Sequence, residues 1–243
     1  PVVRLDRVFR QAQRSAIVRG AHDVLTGRAP RPTSRGERGD GDLFVVRAHE
    51  PAAIVERLVA TLRRIPEAYG LDARRDVQVL VPMRRGPVGT ERLNEVLQEH
   101  LNPRRDAPPG VLRAGDKVMQ LKNDYEREVF NGDIGWVRRV EDGVTYVEFD
   151  SGLRSYDADA LDALALAYAS TIHKAQGSEF PGVIVVLSAG HHVLLTRSLL
   201  YAAITRAKKL VVLVGEPPAI ERAARTIRAR ESYSMLAERI QAS

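Results

Sequence analysis

Val183-Ile184-Val185-Val186-Leu187 and Leu210-Val211-Val212-Leu213-Val214 are unbroken apolar runs dominated by β-branched residues. Neither run alternates, so both faces of each strand are expected to be buried, as in a parallel sheet. Between them, residues 196–209 carry Leu199, Leu200, Ala203, Ile204 and Ala207 on one face, which predicts a helix joining the strands. Strand, helix and strand with short connections make a right-handed crossover. Upstream, Val77-Gln78-Val79-Leu80-Val81 ends at Pro82 and reads as another buried strand. Residues 52–62 place Ile54, Leu58, Val59 and Leu62 at helical spacing. Residues 11–25 read as a helix stopped by Gly27, residues 27–42 as a loop rich in glycine and charge, and residues 217–241 as one or two charged amphipathic helices.

The middle of the chain has a different texture. Short runs at 117–121, 134–140, 144–149 and 153–156 are separated by Asn131-Gly132, Asp142-Gly143 and Ser151-Gly152. Such dipeptides supply the positive φ angles that tight hairpins need. Seven aromatics fall between Tyr125 and Tyr168, enough for the core of a small antiparallel barrel. The expected organisation is therefore an α/β domain over 1–109 and 164–243 with a β module, 110–163, inserted into it.

Composition sets bounds. With 243 residues, 44% hydrophobic and 28% charged, the chain has room for one large or two small globular domains. It has no cysteine, which excludes a disulfide scaffold, cysteine-bound metal and thiol catalysis. No run approaches the ~20 apolar residues of a membrane span, so a soluble chain is expected. The first residue is Pro1 rather than Met, and we expect a piece of a longer protein. A net charge of +6 leans toward polyanionic partners, although an arginine-rich surface alone gives the same number.

Four stretches could carry chemistry. In Tyr168-Ala169-Ser170-Thr171-Ile172-His173-Lys174-Ala175-Gln176-Gly177-Ser178-Glu179-Phe180, an apolar run ends in hydroxyl residues suited to cap a short helix. A helix start with hydroxyls and a lysine suits an anion, and an ordinary capped helix with solvated His173 and Lys174 fits the same residues. Arg206 interrupts the small apolar residues of the helix expected over 196–209, and pairs there with phosphate or in a buried salt bridge. Lys208 and Lys209 suit that helix's C-terminus. Phe9-Arg10-Gln11-Gln13 brings an arginine and two amides to the start of the first helix, and Pro82-Met83-Arg84-Arg85-Gly86-Pro87-Val88-Gly89-Thr90 puts two arginines on a loop after a strand. His191-His192 lacks the third ligand that zinc requires, so no metal site is expected. The phosphate-binding pattern G-x-x-x-x-G-K-[ST] is absent, so the chain alone is not expected to hydrolyse ATP.

In their order, FRQAQRSAIV (9–18), VQVLVPMRRGPVGTERLN (77–94), GDKVMQLKNDYEREVFNGDIG (115–135), YASTIHKAQGSEF (168–180) and LLYAAITRAKK (199–209) resemble the C-terminal half of RecD-like DNA helicases of superfamily 1. STIHKAQGSEF is similar to that superfamily's motif V, LLYAAITRAKK to motif VI and FRQ to motif IV. The resemblance implies a second RecA-like motor domain with an inserted SH3-like β barrel. ATP and Mg2+ would be held mainly by an N-terminal RecA-like domain, this chain's expected partner along with single-stranded DNA. Arg206 then takes the part of the arginine finger and Arg10 of a second γ-phosphate contact. Glu179 lies near the ribose, with Gly177 and Gln11 beside the nucleotide. Thr171, His173 and Lys174 touch the DNA strand, with Asn123, Arg84 and Arg85 in the same groove. Movement 5′ to 3′, a role in DNA repair, a cytoplasmic location and a monomeric state are carried by the same likeness. A non-catalytic nucleic-acid-binding module and the helicase-like half of a relaxase remain the alternatives.

Overall fold

The computed structural model describes residues 15–33, 41–104 and 108–227. Five parallel strands form one sheet in the order β1 (Leu43–Arg47), β10 (Ala207–Gly215), β9 (Phe180–Leu187), β2 (Val77–Val81), β8 (Ala169–Thr171). Helices α1 (Ala16–Leu25), α4 (Arg197–Ile204) and α5 (Pro217–Arg225) cover one face, and α2 (Pro51–Tyr69) and α3 (Thr90–Leu101) the other. The apolar runs explain this sandwich directly. Along β9, Val183, Val185 and Leu187 enter the first core, while Ile184 and Val186 enter the second. A strand with two buried faces cannot alternate polar with apolar residues.

The second sheet is antiparallel, in the order β6 (Gly152–Tyr156), β5 (Val144–Phe149), β4 (Ile134–Glu141), β3 (Lys117–Gln120), β7 (Leu164–Leu166). Asp142 and Gly143 both adopt positive φ, 50° and 77°, and turn β4 tightly into β5. The expected aromatic core is corrected. Val118, Val129, Val137, Val147, Phe149, Tyr156 and Leu164 fill this sheet's core, so only two of the seven aromatics lie in it. Tyr168 packs instead into the α2–α3 side of the parallel sheet, and Tyr125 is 76% exposed.

Other expectations shift at their edges. The helix expected over 52–62 extends to Tyr69 and runs through Pro66, because Gly70 in the left-handed region closes it by donating to the Pro66 carbonyl at 2.9 Å. Residues 164–169, read as one apolar run, divide between the two sheets: β7 pairs with β3, and β8 pairs with β2. The N-terminus of α1 is capped from a distance, with the Asp42 carboxylate accepting from the Ala16 and Ile17 N–H groups at 2.8 and 3.2 Å. Residues 11–14 and 228–241 of the expected terminal helices lie outside the described residues.

The joint between the sheets is polar and closed. Asp116, fully buried, accepts from Gln98 Nε2 at 2.6 Å, Asn102 Nδ2 at 2.7 Å, Tyr168 Oη at 2.8 Å and the Arg113 N–H at 2.9 Å. Next to it, Lys117 lies between the rings of Trp136 and Phe180, 5.9 and 5.8 Å from their centroids. Burial pushes the Lys117 ammonium down to about 8, against the opposing pull of Asp76 and Asp72. Asp116→Ala strands four donors in a buried joint, and a loss of about 3 kcal/mol or more is expected in urea unfolding. Asp116→Asn, which keeps one acceptor oxygen, should lose less.

Candidate nucleotide and nucleic-acid interface

Thr171 ends β8 at its carboxyl end, and the chain then descends to the amino end of β9 at Phe180. No helix begins here. Ser170 belongs to the strand, and residues 172–177 form successive turns. The Thr171 hydroxyl does accept from the Lys174 N–H, at 3.4 Å, and the Thr171 carbonyl accepts from the Ala175 N–H at 3.2 Å. Those two bonds make one turn, and Ile172 and Ala175 anchor it in the α1–α4–α5 core. With both apolar residues pointing inward, His173, Lys174 and Gln176 are left exposed. Gly177, at φ 91°, reverses the chain in a conformation that side chains disfavour.

The helix expected over 196–209 ends at Ile204, and Arg206 lies in the turn before β10 rather than on a helix. Lys208 and Lys209 belong to β10 and not to a helix C-terminus. The reason is pairing: Ala207 is drawn into register with Phe180 on β9. Arg206 thereby meets the segment descending from Thr171. Its Nη1 donates to the Ser178 carbonyl at 3.1 Å and its Nε to the Ala202 carbonyl at 3.3 Å. Its own carbonyl accepts from the Phe180 N–H at 2.9 Å. Among the described residues Nη2 has no hydrogen-bond partner. Glu179 is exposed beside it and pairs with Lys208 at 3.3 Å. Arg206, Gly177 and Glu179 are therefore gathered at the amino ends of β9 and β10. A half-buried guanidinium with spare donors, fixed through its own backbone, suits a phosphate group.

At the other end of the sheet, a cavity of about 530 Å³ opens between α3, β8 and the antiparallel sheet. Arg84, Thr90, Asn94, Ser170, Thr171 and Lys174 are among the residues that line it. Burial and the nearby Arg84 cation both push the Lys174 ammonium down, and the carboxylates of Glu91 and Glu95 also line the cavity. Arg84 is held by Glu91 at 2.7 Å, at the start of α3. Gly89 closes the arginine loop so tightly that a Cβ there would come within 2.5 Å of the Arg84 and Arg85 backbone. Arg85 and His173 are exposed and do not line the cavity. Asn123 lies on the loop after β3, accepting from the Asn131 N–H at 2.9 Å, also away from the cavity. Arg10 and Gln11 lie outside the described residues.

Asn94 had no signal in the sequence. It donates to the Leu166 and Ala169 carbonyls at 2.9 and 3.0 Å and accepts from the Ala169 N–H at 2.8 Å, bolting α3 to β8 beneath the cavity. His191 and His192 do not cooperate. His191 is buried, its Nδ1 accepting from the Ser188 N–H at 3.2 Å, and His192 is exposed. Among the described residues no three His, Cys, Asp or Glu side chains are grouped to hold a metal ion.

Two family descriptions match this chain. "UvrD-like helicase C-terminal domain" covers residues 166–214, and "ATP-dependent RecD-like DNA helicase SH3 domain" covers residues 93–149. The ATP-dependent RecD2 DNA helicase of Deinococcus radiodurans is 38% identical over 245 residues, spanning 100% of this chain and 32% of that protein. Over its whole length the chain is similar to RecD-like DNA helicases. The match over residues 166–214 is to a C-terminal helicase domain. The RecBCD enzyme subunit RecD of Mycolicibacterium smegmatis is 37% identical over 139 residues, 57% of this chain and 25% of that subunit. This RecD-like chain thus spans about a third or less of these relatives. A Pif1 helicase structure solved for DNA unwinding at forked duplex DNA shares the fold, with TM-score 0.51 and 18% identity over 97% of this chain and 53% of that one. Among the described residues no helix is long and apolar enough to cross a membrane.

Burial pushes His191 down to about 4, with Glu216 pulling the other way. The fold thus needs neutral imidazole, while an unfolded chain protonates it near its ordinary value of 6.5. Its contribution to stability is complete above about 6.5 and is lost as the pH falls toward 4. Urea unfolding across that interval should show this acid sensitivity in the wild type, and His191→Gln should flatten it.

Proposed function

We propose that this chain is the second RecA-like motor domain of an ATP-driven DNA helicase that moves 5′ to 3′ along single-stranded DNA. The observation that supports it most is the course of residues 171–180. One short segment has Thr171 and Lys174 in the cavity at its start and Ser178, bonded to the Arg206 guanidinium, at its end. A motor must join its fuel site to its track, and this segment spans the sheet between the two candidate sites.

In this reading Arg206 faces the γ-phosphate of a nucleotide held mainly by the N-terminal RecA-like domain, with Arg10 as a second contact. ATP, with Mg2+ on its phosphates, supplies the phosphoanhydride whose cleavage drives movement. Arg206 adds positive charge where the phosphoryl oxygens gain negative charge, a contribution worth roughly 10³–10⁵ in rate for arginine fingers. Glu179, with Gly177 and Gln11 nearby, positions the ribose side. Thr171, His173 and Lys174, with Arg84, Arg85 and Asn123, hold the strand through its phosphates, which lets a motor step along any sequence. Interdomain closure also makes the chain inactive by itself, since Walker-type phosphate binding lies elsewhere.

The test is DNA-stimulated ATP hydrolysis by the complete helicase carrying this chain. Arg206→Ala should lower the stimulated rate by roughly 10³ or more while nucleotide still binds. An unchanged rate makes Arg206 a structural brace and leaves a non-catalytic binding module as the better reading. Lys174→Ala with Thr171→Ala should instead weaken single-stranded DNA binding and flatten its salt dependence, with nucleotide affinity kept. A collapse of nucleotide affinity in that variant would place the DNA on the wrong end of the sheet.

A further inference from the structure

The outer face of the antiparallel sheet carries a cluster that the motor reading leaves unused. On β4, Val137 pairs with Val147 but Arg139 already pairs with Tyr146, so Arg138 is the extra residue of a β-bulge. A bulge breaks the alternation of the strand, and Arg138 and Arg139 both emerge on the exposed face. Beside them stands Trp136, the only tryptophan in the sequence. A cleft of about 390 Å³ opens there, lined by Arg74, Arg75, Trp136, Arg138 and Asp72. It faces the loop before β2, at the amino end of the parallel strands, whereas Thr171 and Lys174 lie toward the carboxyl end.

The arginines here are placed but underused. The guanidinium carbons of Arg74 and Arg75 lie 6.0 and 5.8 Å from the Trp136 ring centroid. Arg74 is steadied by a bond to the Gly115 carbonyl, and among the described residues its Nε has no hydrogen-bond partner. The Arg75 side chain has neither a hydrogen bond nor an ion pair among the described residues, while Arg138 pairs with Glu148 on the neighbouring strand. Asp72 offsets one of these charges: its carboxylate accepts from the backbone N–H groups of Arg74 and Arg75 at 2.8 and 3.0 Å, which holds it in the ionised form. Lys117 adds a further cation behind the indole. Two guanidiniums at one aromatic ring, with Arg138 lining the same cleft beside its partner Glu148, are donors suited to phosphodiesters, and the ring is available for base stacking.

We propose that this cleft is a second nucleic-acid contact, which binds the phosphodiester backbone through Arg74, Arg75 and Arg138 against Trp136. It extends the nucleic-acid reading above to a separate surface, and the two can fail independently. Trp136 is its own reporter. The chain is titrated with single-stranded oligothymidine and with a mixed-sequence duplex, following tryptophan emission and, on labelled oligonucleotides, anisotropy.

A saturable emission change with either form is expected, weakening as salt rises, and the form that binds tighter identifies the strand source. Arg75→Ala with Arg138→Ala should weaken the emission midpoint roughly tenfold or more, while anisotropy still detects binding at the cavity. Emission that stays silent while anisotropy saturates overturns the cleft and leaves the cavity standing. An undiminished response in the double variant, or an equal response to polyglutamate, also overturns it. A wild-type emission response combined with unaltered binding by Lys174→Ala/Thr171→Ala leaves the cleft standing and removes the cavity.

Discussion

A carboxylate taken out of water has to be surrounded by donors, and Asp116 draws its donors from three separate parts of the chain. Gln98 and Asn102 come from the end of α3, Arg113 from the approach to β3, and Tyr168 from the link between β7 and β8. The entry to and the exit from the antiparallel sheet are thereby tied to one point and to the helix that covers the parallel sheet. The cavity depends on that joint, since its walls are α3 and β8 on one side and β3 with β7 on the other. The Lys117 ammonium, between Trp136 and Phe180, fastens the same joint at its other end.

This arrangement puts the candidate residues at two opposite ends of the parallel sheet. The carboxyl end holds Thr171, Lys174 and Arg84 around a cavity; the amino end holds Arg206 and Glu179 around the start of β9. The connection between them has no regular structure to resist a small shift. Two turn hydrogen bonds at Thr171, the Ile172 and Ala175 anchors and the Arg206–Ser178 bond hold its course. Local segments with few buried contacts are where proteins change conformation most readily. The Phe180 N–H on the Arg206 carbonyl, and the Phe180 ring on Lys117, extend the same line of contacts into the antiparallel sheet.

How much could be read in advance varied with the range of the forces involved. Strands β2, β9 and β10 are apolar on both faces, and the Asp142-Gly143 turn carries its positive φ in its composition, so local chemistry announces them. Strand β1 and helix α3 carried no such announcement, and α3 supplies Asn94, Gln98 and Asn102, whose partners lie in residues remote in sequence. The helix expected through Lys209 failed because Ala207 gains more from pairing with Phe180 than from another helical turn. The capped helix expected after Ser170 failed because strand β8 needs Ser170 and Thr171 for its pairing with Leu80 and Val81. The barrel aromatics misled for a different reason: an aromatic-rich stretch does not say which ring faces inward.

The sequence by itself determined the parallel sheet, the inserted β module and the residues that resemble helicase motifs, because hydrophobic runs, turn dipeptides and motif spacing are local properties. The tertiary structure alone decided that Arg206 meets Ser178, that Lys174 and Arg84 share a cavity, and that a bulge turns Arg138 and Arg139 outward beside Trp136. Each of those depends on register between segments distant in the chain. Register is set by the packing of both partners together, and neither partner's sequence contains it alone.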